Sequence, residues 1–63
     1  MYVVEIETAV ETTTSAPLAL DEAMREFVMG KFLWGVYYVR LWLLREDGGR
    51  TLVRYGNGRA HVE

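Results

Sequence analysis

Few side chains in this 63-residue sequence could do covalent chemistry. His61 is the one histidine, the residue type most often used as a general base. It has only Glu63 and neighbouring arginines for company, so a surface residue is the plainer reading. Ser15 has no His or Lys beside it in sequence to activate it as a nucleophile. Glu5 and Glu7, at i and i+2, share one face of a strand. No further ligand accompanies them, and they are expected to face water.

Metal and nucleotide chemistry lack their signatures. There is no cysteine, so no disulfide, thiolate site or His/Cys zinc constellation can be built. Met24 and Met29 read as core filler rather than a copper pair. Gly56-Asn57-Gly58 starts like a dinucleotide loop but lacks the third glycine and a following helix. No Gly-Lys-Ser/Thr phosphate loop is present. The expectation is a protein that is not an enzyme and uses no cofactor or metal.

The elements are dominated by Phe32–Leu44, which holds both tryptophans, the adjacent tyrosines Tyr37 and Tyr38, and one charge, Arg40. Aromatic and β-branched residues favour a pleated surface, so this is expected to be one long strand. One face carries Phe32, Trp34, Val36, Tyr38, Arg40, Trp42 and Leu44; the other carries Leu33, Gly35, Tyr37, Val39, Leu41 and Leu43. Its 13 positions, broken by Arg40, fall short of the roughly 18 apolar residues of a membrane-spanning helix. No membrane partner is expected.

Residues 2–11 alternate apolar and polar, predicting a half-buried strand. Thr12–Pro17 reads as a loop in which Thr14 or Ser15 caps the next helix, with Asp21 as an alternative cap. Leu20, Met24, Phe27 and Val28 repeat at helical spacing over 18–29, and Gly30 suits the position just past the helix. Gly35 would let that helix approach the sheet. Strand, helix, strand then predicts a right-handed crossover between parallel strands.

Asp47-Gly48 marks a hairpin into a strand at about 50–56. A two-residue loop sets Leu44 against Thr51, Trp42 against Val53 and Arg40 against Tyr55. A three-residue loop shifts that register by one. Residues 59–63 are a short fourth strand or a tail. The expected fold is a single α+β domain over 1–63, β-α-β-β. It has a three- to four-stranded mixed sheet and one helix on one face. A strand-helix-strand-strand unit resembles half of a ferredoxin-like sandwich, an architecture often completed by dimerisation.

A strand apolar on both faces requires cover on both, and only one helix is available. A chain this short is marginal alone and usually adds a disulfide, a metal or a partner. A partner subunit is therefore expected on the second face, making the protein a homo-oligomer, most simply a dimer. The interface is assigned to Trp34, Tyr38, Arg40, Trp42, Val53 and Tyr55, residue types enriched in binding hot spots.

Charge is uneven: residues 1–30 hold six acids and one base, residues 31–63 six bases and three acids, for a net −2. The alternative reading is a single-stranded nucleic-acid module, with Arg50, Arg54 and Arg59 as polyanion contacts. The net acidity disfavours it. Missing cysteines suit a reducing cytoplasm, and residues 1–11 lack the pattern of a signal peptide. The functional expectation is a cytoplasmic protein-binding module, with a phage or mobile-element inhibitor or regulator as one form of it.

Overall fold

The computed structural model describes residues 1–61. The chain runs β1 (Tyr2–Thr8), β2 (Thr12–Thr14), α1 (Leu20–Phe32), β3 (Val36–Leu44) and β4 (Arg50–Asn57). The strands form one sheet in the order β2-β1-β3-β4, with every neighbouring pair antiparallel. The single helix and the hairpin β3–β4 are as the sequence predicts.

Two expectations about topology are corrected. The sheet is not mixed, and its fourth strand is β2 rather than residues 59–63. Arg59 and Ala60 form a turn, while Val62 and Glu63 lie outside the described residues. The cause is the segment read as a loop. After β1 the chain turns at Ala9-Val10-Glu11, where the Thr8 hydroxyl donates to the Glu11 carbonyl and accepts the Glu11 N–H. Thr12–Thr14 then run back along Glu5–Glu7. That reversal precedes the helix, so the crossover joins β2 to β3, which are parallel to each other with β1 between them. β1 and β3 consequently pair antiparallel, with Val4 opposite Leu41 and Ile6 opposite Val39.

The helix also begins and ends later than its apolar spacing suggests. Leu18 is held in extended form by two 2.8 Å backbone hydrogen bonds with Tyr2. The cap position falls on Ala19, which offers no side-chain acceptor. Ser15 does not cap the helix. Its hydroxyl accepts the Val4 N–H at 2.9 Å and donates to the Ala16 carbonyl. Asp21 lies inside the first turn, where the helix dipole favours an acid.

The buried stripe of α1 is Ala23, Phe27 and Gly30, with Met24 beside it; Val28 points outward. Gly30 is not past the helix but within it. A methyl there would sit 3.3–3.4 Å from Val39 and Ile6, so Gly30, not Gly35, permits the close approach of helix to sheet. Gly35 instead closes the α1–β3 turn with φ +82°. The core joins Val4, Val36, Val39 and Leu41 of the sheet to Ala23 and Phe27 of the helix. Leu41 and Val39 are the helix-side residues that period-two alternation assigns; Val36, assigned to the other face, joins them because the pairing slips at Tyr37, between Glu7 opposite Tyr38 and Thr8 opposite Val36.

The hairpin register combines both expected alternatives. Glu46-Asp47-Gly48 is a three-residue loop, closed by the Arg45 N–H on the Gly49 carbonyl and the Gly48 N–H on the Arg45 carbonyl. Gly48 supplies the positive φ (+87°) that this turn needs. Asp47 accepts the Gly49 N–H and an Arg45 guanidinium N–H, and both hold its carboxyl below the usual range. Leu44 therefore faces Arg50 and Trp42 faces Leu52. Val53 is then the extra residue of a bulge, which returns Arg40 to face Tyr55.

Candidate functional site

Alternation along β1 and β3, reset on β4 by the Val53 bulge, sends a second set of side chains to the face away from α1. Cross-strand pairing sets Glu5 opposite Arg40, Glu7 opposite Tyr38 and Arg40 opposite Tyr55. This face is organised around a carboxylate rather than an apolar row. Glu5, expected in water, has a side chain only 14% exposed.

Two hydrogen-bond donors and a second guanidinium group converge on Glu5. The Trp42 indole N–H donates to Oε1 at 3.2 Å, and Arg40 Nη1 lies 3.4 Å from the same oxygen. Arg50 Nη2 lies 3.6 Å from Oε2. Arg40 is shared with Glu7 at 3.0 Å. A half-desolvated carboxylate is costly to leave unpaired, and here an indole and two guanidinium groups satisfy it.

The cations are also stacked on rings. Arg50 lies 4.6 Å from the Trp42 ring centroid. Arg40 lies 5.5 Å from Tyr38 and 5.8 Å from Tyr55, within the reach of a cation–π contact. Tyr38 and Tyr55 stack at 5.5 Å with ring planes 29° apart, and His61 meets Tyr38 edge-on at 5.1 Å. Desolvation and then the neighbouring Tyr38 raise the Tyr55 phenol above its ordinary pKa. His61 is thus placed on an aromatic edge. Among the described residues no three acidic or histidine side chains converge as a metal site.

Of the residues assigned to an interface, the structure brings Tyr38, Arg40, Trp42 and Tyr55 together. Trp34 is not among them. It lies in the turn before β3, because the helix continues to Phe32 and the strand starts only at Val36. Val53 sits in the bulge rather than opposite Trp42. The three arginines assigned to a polyanion separate: Arg50 pairs with Glu5, Arg54 is opposite Leu41, and Arg59 lies over Trp34. The sequence reading missed Glu5, Arg50 and Leu52 as members of the face. The signal for Glu5 was its shared parity with Glu7, which antiparallel pairing turns toward Arg40.

No family model, curated protein or solved structure matches the chain.

Proposed function

We propose that this chain is a small binding module that acts without chemistry of its own. It self-associates through the open sheet face and engages another macromolecule as an inhibitor or regulator. One observation carries the reading: α1 covers one side of the sheet, while the other presents Tyr38, Arg40, Trp42, Leu52 and Tyr55 on one surface. Aromatic residues and arginine are the types that dominate interface cores.

A second copy is the occupant that fits. The acids of this face lie on β1 and its bases on β3 and β4, so a twofold axis near β3 sets the Glu5 side of one copy against the Arg50 side of the other. The molecule is 35 Å long and 20 Å or less across. Its long faces are of the order of the roughly 800 Å² that each partner buries in a stable complex.

Nucleic acid has less support. Glu5 and Glu7 lie among the aromatic rings, and Arg50, Arg54 and Arg59 form no continuous track. Light scattering across a dilution series tests the main reading, with Leu52→Lys as the control. A dimer reduced to folded monomer by that change supports it. A monomeric wild-type chain contradicts it.

A further inference from the structure

Three connections meet at one end of the sheet. Thr8 pairs with Val36, the first residue of β3, so the Ala9–Glu11 turn lies beside the α1–β3 turn. The segment after β4 joins them, because the Gly58 N–H donates to Tyr37 and the Ala60 N–H to Val36. Among the described residues this end carries the most exposed apolar side chains, Val10 at 89%, Trp34 at 86% and Phe32 at 67%, with Leu33 between Phe32 and Trp34 in the chain. Phe32 follows the buried stripe of α1 off its edge, and the Gly35 turn lifts Trp34 clear of β3.

Two bases stand beside these side chains. Arg59 lies 5.5 Å from the Trp34 ring, and the Lys31 ammonium lies 5.8 Å from Phe27. Residues 27–45 contain no acid. Glu11 stands in the neighbouring turn, and Glu7 is bonded to Arg40. The opposite end holds the hairpin, where Glu46 and Asp47 stand with Arg45 and Arg50, and the Asp21-Glu22 helix start. The exposed apolar side chains and the two bases beside them thus share one tip, and the other tip carries mixed charge.

The cross-section limits what the tip can hold. The two short extents are 20 and 18 Å, well below the face a stable protein complex buries. A lipid surface needs no such area. Trp and Phe partition to the headgroup level, and Lys and Arg reach phosphates while their stems stay apolar. The geometry points to this tip as a peripheral docking site for an anionic phospholipid surface. Val10, Phe32, Leu33 and Trp34 enter the interface, and Lys31 and Arg59 meet the phosphates. Among the described residues no helix is long and apolar enough to cross a membrane, so the contact is shallow.

Sedimentation with phosphatidylcholine vesicles, with and without phosphatidylglycerol, tests this on the full chain. The wild type should pellet with the anionic vesicles and weakly with the neutral ones. Phe32→Ser with Trp34→Ser should lower the bound fraction about tenfold. Both side chains are exposed, so circular dichroism should stay unchanged. Lys31→Glu with Arg59→Glu should remove the anionic preference. Leu52→Lys, on the sheet face, should bind vesicles as the wild type does, which separates this site from self-association. The proposal is overturned if the wild type stays in the supernatant with both vesicles. It is equally overturned if the serine variant pellets undiminished, or if that variant loses only its self-association, which would make the tip a contact between copies.

Discussion

The Glu5 carboxylate accepts the indole N–H of Trp42 at 3.2 Å across the diagonal of the β1–β3 pair. This contact ties the first strand to the centre of the sheet on the face that α1 leaves open. It also turns a stretch that reads as apolar into a charged and aromatic surface with satisfied polar groups.

Removing that carboxylate should cost more than removing its neighbour. Glu5→Ala leaves the Trp42 N–H without its acceptor and removes one of the two carboxylates that hold Arg40, an expected loss of roughly 1–3 kcal/mol. Glu7→Ala removes one contact from a side chain 35% exposed, with an expected loss below about 1 kcal/mol. Urea unfolding of the two variants checks the order. Equal losses would mean that the Glu5 contacts contribute nothing beyond a surface ion pair.

The helix start can be improved. Ala19 is the cap residue, has extended backbone angles and makes no side-chain hydrogen bond. Ala19→Asp should stabilise the fold by about 0.5–2 kcal/mol, because a carboxylate there accepts a free N–H of the first turn. A higher thermal midpoint is the expected readout. No change would show that the backbone at Ala19 does not let a side chain reach back.

Leu41 is fully buried at the centre of β3, between Val4 and the hairpin strand. Leu41→Ala should cost about 2–5 kcal/mol through lost burial and the cavity left behind. In a chain this short that is a large share of total stability, so the variant should be partly unfolded at room temperature. Hydrogen exchange or chemical denaturation measures it.

Tyr55 gives a pH signature. Its folded pKa is raised above the ordinary 10.0, first by desolvation and next by Tyr38. The fold therefore favours the neutral phenol. Its contribution is complete below pH 10 and is lost as the pH rises through the folded value. Tyrosinate absorbance should show one phenol titrating late, and Tyr38→Phe should bring it part of the way back. An unshifted titration in that variant would remove Tyr38 as a cause.

Much of this was legible in the residues. Alternation separated Val39 and Leu41 from Tyr38, Arg40 and Trp42, and helical spacing located α1. What was not legible came from chain reversals. Thr12-Thr13-Thr14 is polar and exposed, so burial periodicity gave no sign that it pairs with β1. The direction of β1 against β3 depended on that reversal. Gly30 read as a helix end because its role, making room for Val39, depends on a tertiary contact. The Val53 bulge hid in the same way. Neither simple hairpin register places both Leu52 and Tyr55 on one face, and only the extra residue does so. The Glu5 cluster followed from these, since its donors come from β3 and β4.

The proposed interface between two copies is the open sheet face. Static light scattering across a dilution series tests it most directly, with wild type and Leu52→Lys measured side by side. The expected result is twice the chain mass for the wild type at all but the lowest concentrations, and a folded particle of single-chain mass for the variant. A wild type that stays at single-chain mass throughout, or a variant that dimerises as tightly as the wild type, would contradict it.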